Sequence, residues 1–262
     1  MRRSFIVVLL SLFALHPAAA AVKGEVVEYK SGGTVFKGYL VYDDAAKGKR
    51  PGVLVVHEWW GHNEHARNSA RKLAEAGYVA LAVDMYGGGK TADHPKDAGA
   101  FAGEVGKNLP LMKERFNAAR AFLTKQPNVD GKRLAAIGYC FGGSVVLNMA
   151  RQGEALRGVV SLHGGLATQN PAQKGKVKAK VLVLNGAADP MVDSAQVAAF
   201  EQEMKAAGVD YKVVSYPGAK HAFTNPDATA TGEKFNMPIA YNAEADKKSW
   251  AEASAFLKRV LK

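Results

Sequence analysis

Between Ala135 and Ser144 the chain reads Ala-Ala-Ile-Gly-Tyr-Cys-Phe-Gly-Gly-Ser, and a helix-forming run from Val145 to Ala150 follows without a break. No other stretch restricts the fold as much. An apolar strand that ends in Gly-x-Cys-x-Gly and passes straight into a helix is a nucleophile elbow, with Cys140 where serine usually stands. Such a turn needs strained dihedrals and close backbone approach, so small residues must flank it; Gly138 and Gly142 lie two before and two after Cys140. The turn also places the Phe141 N–H beside the nucleophile, at the positive end of the helix. Cys140 is the only cysteine in 262 residues, which excludes an intrachain disulfide. A lone cysteine in an arbitrary setting is most simply a small buried hydrophobe. Here the flanking glycines, strand and helix make it a candidate nucleophile.

The first twenty residues read as an address. Arg2-Arg3 form a basic start, Phe5 to Leu15 an apolar run, and Ala18-Ala19-Ala20 a small-residue cleavage site. The run is too short to span a bilayer comfortably, and the alternative is an uncleaved N-terminal anchor. The expected product is a chain beginning near Ala21, exported to the periplasm or the medium. No later stretch is apolar enough for a membrane span, so no stable membrane insertion is expected. Residues 21–262 suffice for one large α/β domain. The formal charge of +11, to which Arg2 and Arg3 contribute, is spread over scattered lysines. The one modest cluster, from Lys174 to Lys180, reads as a solvated linker before a strand, and no nucleic-acid partner is expected. Nothing calls for a second subunit, and a monomer is the expected state.

Periodicity then orders the rest. Glu25–Lys30 and Thr34–Tyr42 alternate around Ser31-Gly32-Gly33, as an antiparallel hairpin does. Apolar runs at 52–57 and 78–83 predict buried strands, the first on both faces, and 133–137, 156–162, 181–185 and 211–216 read as further strands. Helical spacing predicts helices over 64–76, 111–124, 194–207 and 244–261. Residues 85–98, rich in Gly, Asp, Lys and Pro, read as an active-site loop or small cap, and 128–131 as a turn. Alternating strands and helices predict a mostly parallel sheet, covered on both faces, with the hairpin as its antiparallel edge. In such folds ligands gather at the carboxyl ends of the strands. Glu58, Asp84, Cys140, His163, Asp189 and His221 all fall there.

A thiol attacks a carbonyl efficiently with a base beside it, and the base needs an orienting group. Asp189, in the loop after the 181–185 strand, and His221, in the loop after the 211–216 strand, supply these in the chain order nucleophile, acid, histidine. The competing readings are Asp189 as a helix cap, His221 as a surface histidine, and Asp193 as the acid, although Asp193-Ser194 suits a helix start better. The segment His57-Glu58-Trp59-Trp60-Gly61-His62-Asn63 ends the first buried strand. It can supply a second oxyanion-hole N–H from Trp59, opposite that of Phe141. His57, Glu58, His62 and His65 also offer metal-ligating side chains, but their spacing matches no established zinc pattern, and no metal is expected. The tandem tryptophans suit an apolar pocket wall.

These residues resemble the dienelactone hydrolase family of the α/β-hydrolase fold. The resemblance rests on 57–63, on Gly138–Gly143, on Gly186-Ala187-Ala188-Asp189-Pro190 and on Gly218-Ala219-Lys220-His221-Ala222-Phe223, and it runs from about Gly24 to the end. It implies a cofactor-free Cys140–His221–Asp189 triad that opens small esters or lactones through an acyl-enzyme. It also implies a glutamate, here Glu58, that holds the resting thiol and takes part in making the thiolate. Trp60, Tyr86 and Phe223 are the expected substrate contacts. Two features depart from the family pattern. The arginines that bind a substrate carboxylate are absent from 85–90 and 222–226, where Lys90 is the nearest cation. Residues 225–241 read as an insertion that reshapes the pocket. Together these favour a broader esterase over a dienelactone specialist. The alternatives are a thiol sensor or non-catalytic protein on the same fold, and a hydrolase of another bond class such as a peptidase.

Overall fold

The computed structural model describes residues 22–262; the predicted export signal lies outside them. Eight strands form one sheet in the order β1-β2-β4-β3-β5-β6-β7-β8. The hairpin β1 (Val22–Ser31) and β2 (Thr34–Asp43) is antiparallel, and β2 pairs antiparallel with β4 (Val79–Val83). From β4 onward the pairing is parallel through β3 (Arg50–Val56), β5 (Val129–Tyr139), β6 (Gly158–Leu162), β7 (Lys180–Gly186) and β8 (Tyr211–Tyr216).

Side chains alternate across a strand, so each apolar run serves two cores. On one face Leu54, Val56, Leu81, Val83, Leu134 and Ala136 pack under α3 (Leu109–Thr124), α4 (Phe141–Arg151) and α5 (Ser194–Ala206). On the other, Val53, Val55, Ala80, Ala82, Ala135 and Ile137 pack under α1 (Glu64–Glu75) and α7 (Ala243–Val260). Continuous apolar strands are what such double coverage requires.

Three elements differ from the sequence expectation. Strand β5 starts at Val129, inside the expected turn, because Val129 and Asp130 pair with Arg50 and Pro51 before the register shifts to Gly52–Leu134. Part of 85–98 is helical: α2 (Pro95–Gly106) begins with Pro95 in its first turn and the His94 ring accepting from Lys96 N. Only Ala98 and Val105 of α2 are buried, so it carries little periodic signal. Within 225–241 lies the short helix α6 (Ala228–Phe235), and Ala240 N then bonds to His221 O at 3.2 Å.

The elbow glycines are set by backbone proximity. A Cβ on Gly138 would run into the carbonyl of Gly142, and one on Gly142 into those of Val56 and His57. Gly138→Ala is expected to lower unfolding free energy by about 3 kcal/mol, because backbone rather than a flexible side chain must yield. An unchanged urea midpoint would show that the elbow relaxes without cost.

Candidate active site

Cys140 is the N-cap residue of α4, at φ 51° and ψ −114°. Of the four non-glycine residues with positive φ among the described residues, three meet here: Cys140, His163 (39°) and Ala222 (59°). Strain of this kind persists where neighbouring structure over-determines it, and it clusters at functional sites. The Cys140 carbonyl accepts from Ser144 N at 3.2 Å, so the turn of helix after the elbow is closed at once.

The loops after β7 and β8 bring the two sequence-predicted partners to the sulfur. His221 Nε2 is 3.0 Å from Cys140 Sγ, and His221 Nδ1 is 2.8 Å from Asp189 Oδ2. The other Asp189 oxygen accepts from Met191 N at 2.8 Å, which holds the carboxylate in place. Both partners are buried. Burial pulls the His221 imidazole down, but the facing Cys140 sulfur and the Asp189 carboxylate outweigh it and raise the ring to about 10. Asp193, the rival acid, caps α5 by accepting from Gln196 N at 2.8 Å.

Glu58 lines the same cavity as Cys140 with its side chain only 1% exposed. Its Oε2 accepts from Asn225 Nδ2 at 2.6 Å, and His65 Nδ1 stands 3.8 Å away. The thiol is engaged with His221, and no Glu58–Cys140 hydrogen bond occurs among the described residues. The hydrogen bond that Glu58 does make is the one to Asn225. In the sequence Asn225 is only a position lacking arginine and the start of the 225–241 segment, and its link to Glu58 spans 167 positions.

Trp59 and Phe141 stand at the expected strand and helix ends, and neither N–H has a backbone partner among the described residues. Both side chains line the cavity together with Trp60. Tyr86 and Phe223 require correction as substrate contacts, since neither lines the cavity. Tyr86 lies behind it, its hydroxyl donating to Trp59 O at 2.9 Å and its ring tilted 5.6 Å from that of Phe141. Phe223 is 0% exposed and packs against His163 and Tyr216 in the α1–α7 core, because Ala222 turns the chain and takes the cavity position instead. Met191, Met237 and Ile239 complete the wall, the last two from the 225–241 segment. No local pattern marked these three. The cavity measures about 310 Å³, and no lysine or arginine lines it. Lys90 instead lies over the Phe101 ring at 5.7 Å.

The four residues weighed for a metal do not converge. The His57 Nε2 accepts from Met85 N at 3.3 Å, and burial lowers His62 to about 4. No group of three or more His, Cys, Asp or Glu side chains suited to a metal occurs among the described residues. No helix among them is long and apolar enough to cross a membrane.

The family model described as the dienelactone hydrolase family matches residues 36–261. Among solved structures, a dienelactone hydrolase-like promiscuous phosphotriesterase, P91, from metagenomic libraries is 35% identical with a TM-score of 0.87, covering 92% of this chain and 100% of its own. Dienelactone hydrolase from Anabaena variabilis superposes with a TM-score of 0.66 at 22% identity, over 92% of this chain and 99% of its own, a likeness of fold alone. Among curated sequences, protein usf of Aquifex pyrophilus is 28% identical over 231 residues, 84% of this chain and 98% of its own.

Proposed function

The chain belongs to the dienelactone hydrolase family, and from that membership we propose that it hydrolyses small esters or lactones through an acyl-enzyme on Cys140. The observation that carries this reading is the unbroken line Asp189 Oδ2–His221–Cys140 Sγ, with steps of 2.8 and 3.0 Å, opening on an apolar cavity. Cys140 sulfur attacks the ester carbonyl, and the oxyanion that forms is received by the N–H groups of Trp59 and Phe141. As the intermediate collapses, His221 Nε2–H gives its proton to the departing alkoxide, and the acyl group stays on sulfur. His221, neutral at that stage, then takes a proton from water, whose oxygen attacks the thioester. Collapse expels the Cys140 thiolate, the acid departs, and the imidazolium–thiolate pair is restored. Asp189 keeps the Nδ1–H tautomer of His221 throughout.

Trp60, its ring tilted against that of Trp59 at the cavity wall, is the substrate contact retained from the sequence reading. A wall without lysine or arginine suits an uncharged acyl group. P91 is described as a phosphotriesterase, so a neutral phosphotriester is the second substrate class to try. Residues 1–20 are read as a signal removed on export to the periplasm or medium.

The test is to quench the reaction with a short-chain aryl ester and weigh the protein. The expected result is one added acyl mass on the peptide that carries Cys140. Steady turnover with no adduct, even under rapid acid quench, would point to direct attack by water and sink the covalent route.

A further inference from the structure

His163 follows the last residue of β6 and takes no part in the line from Asp189 to Cys140. It is fully buried, its backbone sits at φ 39°, and its own N–H donates to Leu184 O at 2.9 Å. The Cys140 N–H is shared between Leu162 O at 3.0 Å and His163 Nδ1 at 3.1 Å. A backbone amide can only donate, so Nδ1 accepts and the ring proton sits on Nε2. That N–H donates to Thr224 Oγ1 at 2.8 Å. On the far side of Thr224, His65 Nε2 donates to the Thr224 carbonyl at 3.3 Å and stands 3.5 Å from Oγ1, so the ring of His65 fixes the Thr224 backbone beside His163. Burial, with His221 and His65 nearby, lowers the His163 imidazole well below its ordinary range and keeps it in the neutral form these bonds require.

We propose that His163 and Thr224 are positioning residues for the nucleophile: the Thr224 hydroxyl selects the His163 tautomer whose bare Nδ1 takes the Cys140 N–H, and that bond sets the direction of the Cys140 side chain toward His221. The role rests on Cys140 being the nucleophile. Without the hydroxyl, the imidazole has two states and each leaves a buried donor unmet. As Nε2–H its proton meets a methyl group; as Nδ1–H it confronts the Cys140 N–H. Either state loosens the elbow without touching substrate.

The experiment compares wild type, Thr224→Val and Thr224→Ser by kcat and KM on an aryl ester and by the rate at which iodoacetamide alkylates Cys140. Thr224→Val is expected to lower kcat about tenfold with KM within about twofold, and to slow alkylation in parallel, while Thr224→Ser restores both to near wild type. A packing role predicts the reverse order, since valine keeps the shape of threonine and serine lacks a methyl group. Valine equal to or better than serine in both readouts overturns the proposal. Should Thr224→Val fail to fold, Thr224→Ala against Thr224→Ser carries the same comparison, because both lack the methyl and only alanine lacks the hydroxyl. Equal defects in that pair overturn it. If wild type hydrolyses no ester, the functional reading fails, and the alkylation order still decides the positioning role.

Discussion

Cys140→Ala is expected to reduce turnover of a short-chain aryl ester by at least about a thousandfold, with little change in thermal stability. The loss should be this large because, in the route proposed above, the sulfur is the group that forms and breaks the covalent bond. His221 and Asp189 can then do no more than assist water, from a distance set for a bound acyl group. The residual rate would come from the oxyanion N–H groups and from binding. Stability should hold because the Cys140 side chain is partly exposed at the cavity, whereas the contacts that close the elbow are made by backbone. The measurement is kcat/KM for both proteins alongside their melting temperatures. Equal rates with equal melting would remove Cys140 from the chemistry; lost activity with a collapsed melting temperature would make the residue structural.

Asp84→Asn is expected to destabilise the fold by about 2–4 kcal/mol, although the change replaces one atom. Asp84 ends β4, is 0% exposed, and accepts four backbone N–H groups. Oδ1 takes those of Tyr86 at 2.9 Å and Gly87 at 2.8 Å, and Oδ2 those of Lys37 at 3.0 Å and Gly89 at 2.7 Å. An asparagine can satisfy one such pair. Its NH2 group would then face the other two donors in a site closed to water, and two buried N–H groups would lose their partner. The consequence reaches the active site, because the loop held by Asp84 carries Tyr86, whose hydroxyl bonds the Trp59 carbonyl. A lower urea midpoint at unchanged slope, with reduced kcat, is the expected outcome. A midpoint within about 0.5 kcal/mol of wild type would mean that the loop holds itself without the carboxylate.

The parts of the site that were legible in the sequence share one property: each announces itself within a few residues. Cys140 stands between Gly138 and Gly142 at a strand-to-helix junction, Asp189 follows the buried strand β7, and His221 follows the half-exposed edge strand β8. The sheet was legible for a related reason, since a strand buried on both faces must be apolar along its whole length. Phe223 was misassigned because an aromatic residue beside His221 is equally compatible with pocket or core. The left-handed backbone at Ala222 decides between them by sending Phe223 inward. Helix α2 escaped notice because it buries only two residues and so carries little of the period that marks an amphipathic helix.

The sequence by itself determined the α/β architecture, the elbow and the order in which Cys140, Asp189 and His221 follow their strands, because strand burial, helix periodicity and tight-turn chemistry act between near neighbours in the chain. Tertiary structure alone decided that Glu58 bonds to Asn225, that His163 and Thr224 anchor the Cys140 amide, and that Met191, Met237 and Ile239 line the cavity. Those partners lie on separate loops that meet only where the parallel strands end together. Hydrogen bonds between residues up to 167 positions apart leave no periodic trace in the sequence. A side chain's partner is then set by how the sheet brings the loop ends into register.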